Sequence, residues 1–423
     1  MPAVTRHIGL SLGADICWPF AFEQILADSK LELKLGKDTV RFACERVGLQ
    51  PFRLEPGCKY DLVVDRLTHW FTLQREWIKK CVLMDDLYVY NNPWSVQSYE
   101  KHSSYAAMAA LGMPIPTTAM LPQKSYVPKA DLDYTLHAYA KLFDLKAIGD
   151  ELGYPQFLKP FDGGGWRGVT KVDDGEQLVA AYDKSGTDLM HLQRAVHGFD
   201  LFVRAVGIGP QVRVIKYDAS QPLHDRYRAD RDFCSAEELQ LVADTCLTIN
   251  SFFGWDFNSV EALRADGVFY PIDYANPCPD NQVNSIHYHW PWYVLSNLKW
   301  ALFVAATKRP MRKTLDFEPY YEVARQKLDY REKLRRYAKI ARDRLQAERF
   351  EAFCQEHLGP LEETAFRWFR SERCLAAIRK KVENVYPAHE IDEFTGRFHA
   401  LVLRSVDDLE QKATPSTSPR GRS

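Results

Sequence analysis

Phe157–Val172 reads FLKPFDGGGWRGVTKV. An apolar strand ends at Lys159, and Gly163, Gly164, Gly165 and Gly168 form a loop that opens into a second strand. With no Cβ atoms in the way, such a loop lets backbone N–H groups close on phosphate oxygens, and Lys159 adds a point charge beside them. A hairpin loop with a surface lysine nearby is the competing reading of the same residues. The spacing is neither a G-x-G-x-x-G opening a helix nor a Walker A sequence, so neither a Rossmann nor a P-loop reading has support.

Outward from this loop, residues 154–279 alternate short β-branched or aromatic runs (YPQFLKP, GVTKV, MHLQRAV, DLFVRAVGI, QVRVIKY, FNSVEAL, VFYPIDYA) with two helical pieces, GEQLVAAYDKS and SAEELQLVADTCLTINSFFG. On the N-terminal side, YEKHSSYAAMAALG carries apolar residues at helical spacing and stops at Gly112, with Pro114 and Pro116 beyond it. Residues 7–89 alternate strands with amphipathic segments and predict a parallel α/β lobe. Beyond Trp292 the pattern is helical. Residues 318–358 are charged on most faces, so part of this helical stretch is expected to face solvent or a partner.

Four segments in this order resemble the ATP-grasp superfamily, in particular RimK-type and D-alanine:D-alanine ligase-like carboxylate–amine ligases. YEKHSSYAAMAALGMPIPTT is similar to the family's lysine helix and Gly-(Ile/Met)-Pro-x-Pro entrance, with Lys101 as its nucleotide-binding lysine. FLKPFDGGGWRGV is similar to its phosphate loop, and HLQRAVHGFDLFV to the hinge over which adenine lies, with Gln193, Arg194 and Val196 at the hinge and Asp200 at the ribose. VEALRADGVFYPIDYANPCP resembles the metal-bearing strands, with Glu261, Asp273 and Asn276 as ligands. Two carboxylates with triphosphate oxygens and water suit Mg²⁺, a hard cation; Mn²⁺ is its substitute. Two residues separate Asp273 from Asn276 where the family has one, a difference a β-bulge would absorb, and Gln193 stands where the family often has Glu.

The resemblance implies an α/β (α+β) ATP-grasp fold: an N-terminal parallel α/β lobe over residues 1–95, a two-lobed ATP-binding region over 96–293, a helical C-terminal extension over 294–412 and a disordered tail over 413–423. It implies that ATP phosphorylates a substrate carboxylate and that an amine captures the acyl phosphate. Such a reaction needs positioning and charge, not a nucleophilic side chain. No H-E-x-x-H occurs. Arg204, Arg226 and Arg228 are the candidates for the catalytic cation, with Arg213 a further basic residue nearby. By the two-residue period of a strand, Asp200, Phe202 and Arg204 share one face. Two other readings stay open: an ATP-grasp kinase acting on a small-molecule hydroxyl, and a non-catalytic ATP-binding sensor or scaffold.

Composition limits the remaining classes. With 55 basic and 56 acidic residues and a formal net charge of −1, there is no one-sided basic field for nucleic acid. The nine cysteines are scattered, never in C-x-x-C, as expected of reduced thiols in a cytoplasmic protein. No apolar run approaches the ~20 residues of a membrane span. The resemblance implies small carboxylate and amine substrates as partners, with the helical C-terminal region available to a second copy or another protein. In NSIHYHWPW, His287 and His289 alternate on a strand-like stretch and are read as structural or as substrate-facing, with Trp290 and Trp292 as core. Asp65, Arg66 and His69 in VVDRLTHW are candidate acceptor contacts by analogy of position.

Overall fold

The computed structural model describes residues 3–13, 15–55, 57–66, 70–95, 101–161, 168–277 and 279–413, with side chains through 411. The glycines Gly163, Gly164 and Gly165, His69 and the tail beyond 413 lie outside the described residues.

The N-terminal lobe contains β1 (Ala3–Ser11), α1 (Cys17–Ser29), β2 (Glu32–Leu35), β3 (Asp38–Arg46), β4 (Leu62–Asp65), α2 (Thr72–Met84) and β5 (Tyr88–Tyr90). Its sheet runs β2-β3-β1-β4-β5. β1 pairs in parallel with β3 and β4, and β4 with β5, but β2 is antiparallel to β3. The expected parallel lobe is thus corrected at its edge. Only Gly36 and Lys37 join β2 to β3, with Gly36 at φ +61°, and so short a link can close a hairpin but not a parallel crossover.

The next unit holds α3 (Lys101–Ala110), β6 (Thr118–Leu121), α4 (Leu132–Tyr139), α5 (Leu145–Leu152), β7 (Gln156–Pro160), β8 (Thr170–Val172), α6 (Gly175–Lys184) and β9 (Met190–Arg194). Its antiparallel sheet runs β6-β9-β7-β8 around a small core that includes Leu121, Leu158, Leu178 and Leu192. A second antiparallel sheet, β11-β10-β12-β13, follows, built from β10 (Leu201–Ile208), β11 (Gln211–Lys216), β12 (Phe257–Ala265) and β13 (Val268–Asp273). α7 (Leu223–Arg226) and α8 (Ala236–Phe253) lie between β11 and β12 in sequence. α8 opens with a capping box between Ser235 and Glu238 and stops at Gly254 in the left-handed region, so both ends of this helix are set locally. Val242, Cys246 and Ile249 of α8 share a core with Val203, Ala205 and Val260 of the sheet.

The C-terminal region comprises α9 (Val283–Ile286), a 3-10 turn at His287–His289, α10 (Trp290–Thr307), α11 (Glu318–Ala324), α12 (Tyr330–Leu345), α13 (Ala347–His357), α14 (Gly359–Phe369), α15 (Glu372–Glu383) and α16 (Ile391–Ala413). α10 is apolar nearly all round and buried, as such a helix must be. Its Trp290, Leu298 and Trp300 belong to the same core as Ile8 and Trp18 of the N-terminal lobe and Trp368 and Phe398 of the outer helices. The charged stretch 318–358 is not one exposed helix. Asp329 caps α12, Gln346 breaks it in the left-handed region, and Leu334, Tyr337 and Ala341 of α12 are buried. The charges lie on the outer face while a narrow apolar stripe packs inward, partly with α8.

Candidate active site

Lys159 ends β7 and Lys101 begins α3, while Glu261 and Asp273 stand on the paired strands β12 and β13. The register pairs Glu261 with Asp273 but Ala262 with Pro271, so Ile272 is an extra residue on β13. This bulge sets Asp273 directly across from Glu261, and facing residues of an antiparallel pair project to one side of the sheet. Tyr105 of α3 donates from its hydroxyl to the Ile272 carbonyl at 2.6 Å, which ties the bulge to the lysine helix.

Lys101 Nζ donates to Asp273 Oδ2 at 2.8 Å, and Lys159 Nζ donates to Gln193 Oε1 at 2.7 Å. Gln193 in turn donates to Thr118 Oγ1 at 3.0 Å, so its amide links Lys159 to β6. Arg204 of β10 is hydrogen-bonded to Glu261 and to the Tyr227 hydroxyl, and its guanidinium lies 4.7 Å from the centre of the Tyr217 ring. Two cations, two carboxylates and an arginine thus meet where the two antiparallel sheets face each other.

The electrostatics follow from this packing. Burial pushes the Lys159 ammonium down to about 8, with Lys101 adding to the effect and Asp273 and Glu261 opposing it. Burial alone would raise the Asp273 carboxyl, but Lys101 overcomes it and holds the group below its ordinary value. Glu261 moves the other way, raised by burial against the pull of Arg204. Asp273 therefore stays ionised as the more acidic of the two.

Asn276 donates weakly from Nδ2 to Asp273 Oδ1 at 3.4 Å, and its backbone N–H donates to Asn258 Oδ1 at 2.9 Å. Asn258, fully buried, also donates to Asn250 Oδ1 and to the Tyr274 carbonyl, each at 2.9 Å. Asn258→Ala would leave these buried groups without partners, and the expected loss is about 2–3 kcal/mol of stability, read from urea unfolding. A loss below about 0.5 kcal/mol would mean that the turn carrying Asn276 holds without it.

The remaining candidates are placed as follows. Asp200 is exposed and its carboxylate is bound by Arg264 at 2.8 and 3.0 Å. Arg264 pairs in register with Leu201, whose side chain faces α8, so Asp200 is drawn to the face opposite Phe202 and Arg204. The expectation that Asp200 and Arg204 share a face is corrected: Asp200 precedes β10, where strand alternation no longer applies. Arg194 is exposed at the end of β9, with its backbone N–H bonded to Thr117, and Val196 is half-buried. Arg226 Nε donates to the Gln221 carbonyl at 2.8 Å within its own loop, and the Arg228 carbonyl accepts from His289. Of Arg204, Arg226 and Arg228, only Arg204 is bonded to a carboxylate of the cluster among the described residues. Arg213 lies over the Trp292 ring at 5.1 Å, away from that cluster.

His287 and His289 sit in a 3-10 turn, not a strand, and their Nε2 atoms lie 3.0 and 2.9 Å from the carbonyls of His224 and Arg228. Burial pushes His287 down to about 4. Both are structural braces, and among the described residues no cluster of three or more His, Cys, Asp or Glu could hold a metal. Arg66 is buried against Asp15 and donates to the Pro279 carbonyl at 3.0 Å. One residue of the cluster escaped the sequence reading: His191, cross-strand partner of Lys159, fully buried, with neither ring nitrogen bonded. Burial and the two lysines push it down to about 3, so it is a neutral imidazole beside them. The only sequence signal was a histidine in an otherwise apolar strand.

No family model matches the chain. A D-alanine–D-alanine ligase of Ralstonia nicotianae is 31% identical over 131 residues, and one of Ralstonia pickettii is 30% identical over 131 residues. Each match takes in 29% of this chain and 38% of the relative, so the chain matches well under half the length of these relatives. Among solved structures, D-alanyl-alanine synthetase A from Vibrio cholerae superposes with a TM-score of 0.48 at 14% identity, covering 73% of this chain and 98% of that one. A D-alanine–D-alanine ligase from Bacillus anthracis complexed with ATP gives 0.47 at 12% identity (72% and 98%), and a RimK domain ATP-grasp protein from Sphaerobacter thermophilus gives 0.45 at 14% (69% and 97%). The fold is α/β with a helical C-terminal region. Over the 131 matched residues the chain is similar to D-alanine–D-alanine ligases.

Proposed function

We propose that this protein is an ATP- and Mg²⁺-dependent ligase that activates a carboxylate as an acyl phosphate and joins it to an amine. The observation that carries the proposal is the meeting of Lys101, Lys159, Glu261 and Asp273 between the two antiparallel sheets. Lys101 and Lys159 supply fixed positive charge for phosphate oxygens, Lys159 from a desolvated position where its charge acts most strongly. The hard oxygen donors of Glu261 and Asp273, with the Asn276 amide beside them, fit Mg²⁺, which when bound neutralises charge on the triphosphate. Arg204, clamped by Tyr227, orients Glu261 and is the cation nearest to where charge would build on a transferring phosphoryl group. A location in the cytoplasm accords with this use of ATP.

The test is ADP release with Mg²⁺-ATP across amino acids, dipeptides and small carboxylic acids, with mass spectrometry of each mixture. Substrate-dependent ADP release with a dehydrated adduct is expected. A phosphorylated product instead would make the protein a kinase, and tight ATP binding with no turnover on any member would make it a sensor.

A further inference from the structure

A small cavity lined by several charged side chains lies at the other end of β12, where the N-terminal lobe, α8 and the C-terminal helices meet. It offers about 30 Å³ to the centres of water-sized atoms, roughly the room of two to three waters. Asn92, Ser251, Asp256, Arg309, Arg312 and Arg344 are among the residues that line it. Asp256 and Glu261 stand five residues apart along an extended chain, about 17 Å at strand spacing, so this cavity is separate from the lysine cluster.

The charges in it do not balance. Arg309 has the Asp256 carboxylate near it and donates to the Tyr88 hydroxyl at 3.3 Å and to the Arg344 carbonyl. Arg344 reaches Asp316 only at 3.6 Å, from a partly exposed carboxylate. Arg312 has no carboxylate within ion-pair distance among the described residues and donates only to the Ser251 carbonyl, at 3.2 Å. Arg312 Nη2, Arg344 Nη1 and the Ser251 hydroxyl are buried atoms with no well-formed hydrogen bond; the Tyr320 hydroxyl lies near Ser251 and Arg344, and the Arg344 guanidinium is 4.8 Å from the Tyr320 ring centre. Burial, then the like charge of Arg344, lowers the Arg312 guanidinium from its ordinary value. Two half-buried guanidinium groups that turn buried N–H donors toward one cavity are costly unless an anion joins them. Water would satisfy the N–H groups without neutralising the charge. A guanidinium fork matches the oxygens of a phosphate or other small oxyanion, and a serine hydroxyl can add a third donor.

We infer that this cavity is a binding site for a small oxyanion of phosphate type, held by Arg312, Arg344 and Ser251 at the junction of the three regions. Asp256 sets the affinity from the opposite wall: its carboxyl is pushed up to about 6 by burial, with Arg309 and Arg312 opposing, so it is largely ionised at neutral pH and repels the anion. The inference does not depend on the proposed ligase reaction.

The experiment is thermal unfolding of the full-length protein in inorganic phosphate against chloride at equal ionic strength, with phosphate line width followed by ³¹P NMR. A phosphate-specific rise in the midpoint of about 2 °C or more at tens of millimolar is expected from mass action. Phosphate could also reach the ATP region, so two variants separate the sites. The rise should persist in Lys159→Met and vanish in Arg312→Gln, and it should grow in Asp256→Asn. The reverse pattern would place the phosphate beside the lysine cluster and overturn the inference, as would a wild-type protein that does not distinguish phosphate from chloride. Should Arg312→Gln not fold, Ser251→Ala decides: about fivefold weaker phosphate binding is expected, and unchanged binding would overturn the site.

Discussion

Lys159→Met is expected to lower ATP turnover by about 10²-fold or more while leaving the protein at least as stable as wild type at pH 7. The two halves of this expectation have one cause. Burial lowers the folded-state value of Lys159 to about 8, whereas the unfolded chain titrates near the ordinary lysine value, about 10.4. Between those values the unfolded state binds more protons, so stability contributed by this group rises with pH, and at pH 7 the buried ammonium opposes folding. Methionine removes that penalty together with the charge that phosphate needs. ADP release and urea unfolding at pH 7 check the two halves, and turnover that survives the substitution would remove Lys159 from the phosphate site. In the wild type, ATP affinity should weaken as pH rises from 7 to 9, because the empty site loses its proton near 8. Calorimetry in buffers of different ionisation enthalpy should show proton uptake on binding near pH 8.5, and none in Lys159→Met.

Glu261 should divide into two separable roles. Glu261→Ala leaves Arg204 between Tyr217 and Tyr227 without its bonded carboxylate, and removal of one member of a buried pair is expected to destabilise by about 3–5 kcal/mol. Glu261→Gln keeps a hydrogen-bond acceptor for the guanidinium but not the charge, so most of the fold should survive while the Mg²⁺ dependence of ATP binding is lost. Denaturant unfolding and Mg²⁺ titration of ATP affinity distinguish them. If both variants bound ATP with wild-type Mg²⁺ dependence, Glu261 would have no part in holding the metal. If Glu261→Ala were as stable as wild type, Arg204 would have found another acceptor and the pair would not be a structural anchor.

Much of this site was legible in order along the chain. Lys101, Lys159, Gln193, Glu261 and Asp273 stand in motifs readable from the sequence, and the structure places them on five separate elements. Asp200 was misplaced because strand alternation was extended one residue past the strand. His191 and Tyr227 were passed over because a lone histidine or tyrosine in an apolar run carries no periodic signal. The antiparallel edge strand β2 and the breaks in the charged stretch 318–358 turned on single residues, Gly36 and Gln346, whose left-handed backbone is a local matter that hydrophobic periodicity averages away.

The sequence by itself determined the β-rich centre and the apolar helix α10, because alternation, helical spacing and continuous apolar runs are local and set which faces must be buried, whereas the lysines and carboxylates were suggested by a resemblance of ordered motifs. Only the tertiary structure decided that Asp273 stands opposite Glu261, since the bulge at Ile272 depends on the pairing of two strands and on Tyr105 from a distant helix. It also decided which arginine meets the cluster and that Arg312 and Arg344 share one cavity. Charge is written in the chain, but the distance between charges and the water around them are set by packing, and those two quantities govern what a charged group can do.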